Sequence, residues 1–263
     1  MKHVIIGGLL ALGLASPAAA VTSGLVAFYD FESGDASDAT GNGNDGTVVA
    51  GVTFGATGYA GSMGAEFTAT SGLSGINTGI DINPAAMPAL TMGGWFRADT
   101  INNGKVLSHD NGSFDRTLGL DTRGSVSGVD WAAFKGQNIS GNASVADADA
   151  TAQDVIAGAW QHVAVVYDGA ASALYVNGTL AESFTATNGT SVWSLFIGTN
   201  PSFNEDFIGG ADDVFVFSRA LSANEIGSIY SDGITITPAV PLPAGLPLLI
   251  GGLGVLGLIR RRS

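Results

Sequence analysis

Between Val21 and Ile236 the apolar residues come in short runs, many alternating with polar ones, and Gly, Asn, Asp and Ser fill the gaps. Alternation with a period of two marks a strand with one buried face. The clearest runs are Leu25–Phe31 (LVAFYDF), Leu90–Phe96 (LTMGGWF), Trp160–Tyr167 (WQHVAVVY), Ser172–Gly178 (SALYVNG), Ser194–Gly198 (SLFIG) and Asp213–Ser218 (DVFVFS). Turn-forming residues recur at a spacing that suits an antiparallel sandwich, not alternating strands and helices. Within YVNGTL, Asn177-Gly178 predicts a two-residue hairpin turn, because both residue types accept the positive φ it requires. One segment reads as a helix. In LSANEIGSIY, Ser222 is placed to cap the N-terminus, and Glu225 three residues on completes a capping box. Leu221, Ile226, Ile229 and Tyr230 then share a face, which predicts a short helix covering one end of the sandwich. The expected fold is all-β, a two-sheet antiparallel sandwich with one short C-terminal helix, in one domain over residues 21–236.

The two ends follow a different pattern. Lys2 and His3 precede the apolar stretch Val4–Leu14, and Ala18-Ala19-Ala20 offers a small-residue cleavage site before Val21. This is the layout of a signal peptide over residues 1–20, and the apolar stretch is too short to span a bilayer. At the other end, residues 237–244 form an extended, proline-spaced linker. Residues 245–263 form an apolar helix rich in Gly and Leu, closed by Arg260, Arg261 and Arg262. From Gly245 to Ile259, at about 1.5 Å per residue, the run spans roughly 22 Å against a hydrocarbon core of roughly 30 Å. Residues 239–244 bring it near the required length, and the arginines would stay on the cytoplasmic side. The tail is therefore either a permanent single-span anchor or a segment inserted transiently in the inner membrane.

Charge narrows the partners. The chain carries a formal net charge of −13. Losing both ends removes Lys2 and the terminal arginines, leaving six basic against twenty-three acidic residues, a net charge near −17. Such a body is soluble and repels nucleic acid and anionic lipid. There is no cysteine, hence no disulfide framework and no thiol nucleophile.

Candidate chemistry is sparse. The segment Asp35–Val48 (DASDATGNGNDGTV) fails as an EF-hand, since Val49 stands where a bidentate Glu is needed, and it is not repeated as a β-roll would be. It reads as a turn-rich connection whose Asp and Asn side chains bond their own backbone, with one or two oxygens to lend to a metal. The glutamates (Glu32, Glu66, Glu182, Glu205, Glu225) form no alternating acid pattern on one strand, and no Ser–His–acid or metal-binding His cluster is present. His162 sits inside a strand, which suits a structural role better than catalysis. The protein is expected not to be an enzyme. Sugar sites combine aromatic platforms with Asp, Asn and backbone groups. Trp131, Phe134 and Phe203 lie in polar, loop-like settings that suit this, although Trp131 can equally pack beneath a long loop; Trp95, Trp160 and Trp193 are expected in the core.

Two resemblances extend the reading. Val240-Pro241-Leu242-Pro243-Ala244, the Gly/Leu-rich span and the Arg cluster resemble the VPLPA-type C-terminal sorting signals, relatives of the PEP-type signals of Gram-negative bacteria. That resemblance implies a membrane sorting enzyme of the exosortase type as partner, transient inner-membrane insertion, and delivery to the cell surface or extracellular matrix. The blocks LVAFYDFESGDASDATGNGNDGTV, TMGGWFRA, WQHVAVVYDGAASALYVNGTL and IGGADDVFVFSRALSANEIGSIY, in this order, resemble a laminin-G-like, concanavalin A-like jelly roll. The resemblance implies two packed antiparallel sheets and a structural calcium ion tying the first strand or loop to the last strand. Its implied ligands are Asp212, Asp30 or Asp38, and a carbonyl near Asn44; alternatively Asp212 and Asp213 simply end a turn. The function expected is non-catalytic binding of polysaccharide or glycoprotein glycans, or adhesion. A protein–protein adhesion module and a polysaccharide hydrolase or lyase are the alternatives.

Overall fold

The structure is a computed structural model that describes residues 21–112, 115–122, 129–134, 154–169, 171–185, 187–202 and 205–236. The signal-peptide segment 1–20 and the tail 237–263 lie outside the described residues. Among those described, no helix is long and apolar enough to cross a membrane.

The strands are β1 (Leu25–Tyr29), β2 (Thr47–Ala50), β3 (Val52–Thr57), β4 (Met63–Phe67), β5 (Gly75–Asn77), β6 (Ala89–Ala98), β7 (Lys105–Ser108) and β8 (Thr117–Asp121). They continue with β9 (Asp130–Ala133), β10 (Trp160–Asp168), β11 (Ala171–Val176), β12 (Thr179–Thr185), β13 (Phe196–Ile197) and β14 (Gly209–Phe217), and the helix α1 (Ala223–Asp232) closes the series. They form two antiparallel sheets. The first runs β12-β11-β10-β6-β14-β4-β3, with β1 also beside β14; the second runs β2-β5-β13-β7-β8-β9. The architecture is the all-β two-sheet sandwich that the alternation predicts. One core fills the space between the sheets, with Phe96, Tyr167 and Val214 from the first meeting Leu118, Trp131 and Ile197 from the second.

Local signals act where they stand in the chain. Asn177 and Gly178 have φ of 49° and 75° and turn β11 into β12. The Asn177 side chain also accepts from the His162 amide, so the turn is fastened to β10. Ser222 caps α1 by accepting from the Glu225 amide, and Glu225 reaches back to the Ser222 amide. Arg219 pairs with the same carboxylate and holds its pKa at about 2. The helix does not cover an end of the sandwich, as its apolar face alone predicts. It lies on the outer face of the first sheet, where Ile226 and Ile229 pack with Phe28, Val166, Phe215 and Phe217 in a second apolar cluster. That outer face carries apolar residues of its own, so burying it takes a helix.

Strand β14 changes partner halfway along. Gly209–Ala211 pair with β4, and Val214–Phe217 pair with β1, while β6 follows the other edge throughout. The switch falls at a register shift after Asp212, where Asp213 takes a φ of 48°. A bulge of this kind bends the strand and re-aims its side chains.

Candidate functional site

Strands β7 and β13 run antiparallel with Ser108 opposite Phe196. The loop leaving β7 therefore meets the loop entering β13 at one end of the second sheet, and the segment leaving β13 folds back beside both. Hydrogen bonds knit the three together. Asn111 Nδ2 donates to the Thr190 carbonyl at 3.1 Å. Asn200 Nδ2 donates to Asp110 Oδ2 at 3.0 Å and to Glu205 Oε2 at 3.1 Å, and its Oδ1 accepts from the Ser202 amide. Trp193 lies at the margin of this cluster. Its indole N–H donates to Ser202 Oγ at 3.0 Å, and its half-buried ring meets Phe196 edge-on, with centroids 6.0 Å apart.

Next to these loops the outer face of the second sheet is polar. Leu118, Leu120, Trp131 and Ala133 turn into the core, so Thr117, Gly119, Asp121 and Asp130 take the opposite side. Lys105 crosses this face beside Gly119, where a Cβ would come within 2.6 Å of the Lys105 Cα; only glycine permits that approach. Lys105 is 1% exposed, so its charge must be satisfied internally. Its Nζ donates to the carbonyls of Asn103 and Leu120 at 2.6 and 2.7 Å and to Asp121 Oδ2 at 3.1 Å; Glu205 Oε2 lies 3.8 Å away and the Phe134 ring 5.6 Å. Arg116 donates to the carbonyls of Ile82, Met87 and Pro88. Burial, with the nearby Arg116 charge adding to it, lowers the His109 pKa to about 4; its Nε2 accepts from the Arg116 amide. Asp206 accepts from Ser74, Thr199 and the Thr70 amide, which makes it a tie between loops.

The aromatic residues singled out in the sequence are divided by the structure. Trp131 is fully buried between the sheets, packed on Phe96 with its N–H on Gln161, so it offers no face to a ligand. Its run Asp130–Ala133 is a strand with Asp130 on the sheet's other face, and the polar residues 135–140 lie outside the described residues. Phe134 is buried too, over Lys105. Phe203 lies outside the described residues, between Ser202 and Glu205 of the loop cluster. Of the tryptophans expected in the core, Trp95 is buried, whereas Trp160, beneath the Arg97 guanidinium, and Trp193 are half-buried. For Trp193 the signal is the stretch 187–194 (TNGTSVWS), whose turn-forming residues lack the alternation of a strand.

The residues implied for calcium fall into two groups: Asp38 with Asn44, and Asp212 with Asp213, on which the charge of Asp30 also acts. Asp38 accepts from the amides of Phe28, Thr40 and Asn44 and from the Thr40 hydroxyl, and the Asn44 carbonyl accepts from the Tyr29 hydroxyl. Asp30 accepts from the Glu32 amide in a turn of its own. Asp212 accepts from the Tyr59 amide, the Ser62 hydroxyl and the Asp213 amide, fastening the turn before β4 to the bulge of β14. Burial raises Asp212 to about pKa 6, and burial with the charges of Asp212, Asp30 and Glu32 raises Asp213 to about 7. Among the described residues, no three His, Asp or Glu side chains lie close enough to hold a metal ion.

The fold and loop cluster define a concanavalin-like sandwich with its polar chemistry at the edge of one sheet. The Laminin_G_3 family, described as the concanavalin A-like lectin/glucanases superfamily, matches residues 74–227, and this chain belongs to it. No curated protein matches the sequence. Among solved structures, the chain is similar to domain 4 of AbnA, a GH43 extracellular arabinanase from Geobacillus stearothermophilus, in complex with arabinotriose. The TM-score is 0.60 and the identity 20%, over 78% of this chain and 98% of that one. It is also similar to the binding domain of Paraclostridial Mosquitocidal Protein 1, with a TM-score of 0.57 and 17% identity, over 80% of this chain and 52% of that one. The binding domain of botulinum neurotoxin serotype D follows at 0.50 and 13%, over 80% and 52%. The chain thus spans about half the length of the two toxin domains.

Proposed function

We propose that this protein is an exported, non-catalytic carbohydrate-binding module that meets its glycan at the loops around Trp193. The observation that carries the reading is a half-buried indole, fixed through Ser202, beside the linked side chains of Asn200, Asp110 and Glu205. An aromatic platform with amide and carboxylate groups at its edge is the chemistry that recognises sugar rings. The structural neighbour named above that holds arabinotriose supports the same reading. The non-catalytic part rests on Asp206, whose two oxygens serve neighbouring loops and so are not placed to act as acid or base. A glycan array with the purified protein tests the proposal: retention on polysaccharide without release of reducing sugar is expected. Release of sugar that is lost in Glu205→Gln would make it a hydrolase, and capture of protein ligands alone would make it an adhesion module.

Delivery follows from the ends of the chain. Residues 1–20 direct export, and Val240–Ala244 with the apolar tail is a sorting signal read in the inner membrane by an exosortase-type enzyme of a Gram-negative cell. The body then works at the cell surface or in the extracellular matrix. Mass spectrometry of the protein recovered from cells and medium tests this, with a mature species beginning at Val21 and lacking Arg260–Arg262 as the expected result.

A further inference from the structure

We propose that β2 is a docking edge for a second copy of this chain, the two strands pairing antiparallel across a two-fold axis. The inference is independent of the glycan reading above. Among the described strands, β2 is bonded only to β5 and β3 only to β4, so each ends its sheet. Gly51 alone separates them in the chain, which sets the open edges of both sheets on one side of the sandwich. An open edge presents unpaired N–H and C=O groups, which natural sheets close with charge or proline. From Gly46 to Ala65 the chain has no Asp, Glu, Lys, Arg, His or Pro. Three of the eight large apolar side chains exposed among the described residues fall in that stretch: Val48 at 40%, Val49 at 44% and Met63 at 37%.

The two edges differ. In β3 the exposed positions are Thr53, Gly55 and Thr57, and Gly55, at a φ of 83°, lies in a register shift that bends the strand. In β2 the shift falls at Val49 and leaves two adjacent valines at the surface. The far edge of the first sheet, β12, carries Glu182 in mid-strand. Charge selects the occupant. A two-fold contact sets a patch against itself, so an acidic strand would repel its own copy, in a chain whose formal net charge is −13. An uncharged strand removes that repulsion and gives an oppositely charged partner nothing to hold. Asp45 stands just before β2, and Glu32 reaches the Met63 amide on β4, in the other sheet. Antiparallel pairing about Val48 and Val49 puts the two Asp45 side chains at opposite ends, roughly 20 Å apart and beyond a Debye length of about 8 Å. The valines then meet their counterparts, as apolar cross-strand pairs that stabilise a sheet.

The chain has no cysteine, so single-cysteine variants of the full chain report the pairing directly. Opposed residues of an antiparallel pair have Cα atoms about 4.5–5.5 Å apart, within reach of a disulfide. Val48→Cys, Val49→Cys and, on the far edge, Leu180→Cys are oxidised in parallel and followed by non-reducing electrophoresis. One of the two valine variants is expected to form a linked dimer at least about fivefold faster than Leu180→Cys. So short a contact belongs with interfaces under about 1,200 Å², which associate weakly, so sedimentation velocity is run at about 100 μM. The wild type should show a dimer, and Val49→Lys should lose most of it with an unchanged melting temperature. Equal coupling at the three positions, a wild type that stays monomeric, or a dimer that survives in folded Val49→Lys overturns the proposal. The last of these would place the contact elsewhere on the chain. Val48→Lys replaces Val49→Lys if that variant fails to fold, and the cysteine comparison needs neither.

Discussion

Asp38 gathers four hydrogen bonds, from the amides of Phe28, Thr40 and Asn44 and the hydroxyl of Thr40, at 2.7 to 3.2 Å. It fixes the loop after β1 against β1 itself. Asp38→Ala leaves a buried amide unpaired and should cost about 3 kcal/mol in urea unfolding, with Asp38→Asn intermediate, since one acceptor oxygen survives. Turn chemistry of this kind is legible from DASDATGNGNDG, because Asp and Asn bond amides two residues on. The partners across the fold are not legible, since Phe28 and Asn44 meet Asp38 only after the chain has folded back. The two buried histidines make stability pH-dependent. Burial holds His162 near pKa 4, below its ordinary 6.5, and neither ring nitrogen has a partner among the described residues. Its contribution is complete above pH 6.5 and is lost as pH falls toward 4. Asp212 and Asp213, raised to about 6 and 7, contribute in the opposite sense, fully below pH 3.8 and less as pH rises through 6 to 7. His162→Phe removes the first effect alone. Its stability relative to wild type should therefore improve on going from pH 7 to pH 5, by up to about 2 kcal/mol at 1.36 kcal/mol per pH unit. Parallel wild-type and variant curves would show that His162 carries no such linkage.

At the level of elements, short motifs with a closed local geometry were readable, and elements defined by long-range pairing were not. Asn177-Gly178 and the Ser222–Glu225 box need only their own backbone, and both stand where the residues put them. Ser222→Ala should cost about 1 kcal/mol, read as a lower melting temperature, since the Glu225 amide loses its acceptor. An unchanged melt would mean that tertiary packing of Ile226 and Ile229 alone sets the end of α1. By contrast, β13 is only Phe196–Ile197, held between β5 and β7, and β9 is only Asp130–Ala133. A strand of two to four residues is too short to show the period of two that would reveal it. That is why Trp131, on β9, reads as a loop residue, and why Trp193, in an irregular segment next to a two-residue strand, reads as core.

Across the whole molecule, the apolar cover of α1 and the polar loops of the second sheet lie on opposite sides of the sandwich. The first face is closed by its own helix. The second carries the charged network of Lys105, Asp121 and Glu205 and the loop cluster at its edge. Because Asp38, Asn44 and Asp212 are satisfied by amides and hydroxyls, calcium removal should leave the melting temperature within about 1 °C in a chelator titration; a fall of several degrees would mean that an ion binds the native state. Fold class and helix were open to reading from the chain, whereas the site depends on which loops the sheet order brings together, and the sequence does not state that order. Trp193 is the side chain on which the proposed glycan binding depends. Isothermal titration of a neutral polysaccharide into wild type and Trp193→Ala, with melting temperatures measured in parallel, addresses it directly. Loss of at least tenfold in affinity with an unchanged melt, about 1.4 kcal/mol or more, is the result predicted. Undiminished binding by a folded Trp193→Ala would contradict it and move the glycan site elsewhere on the sandwich.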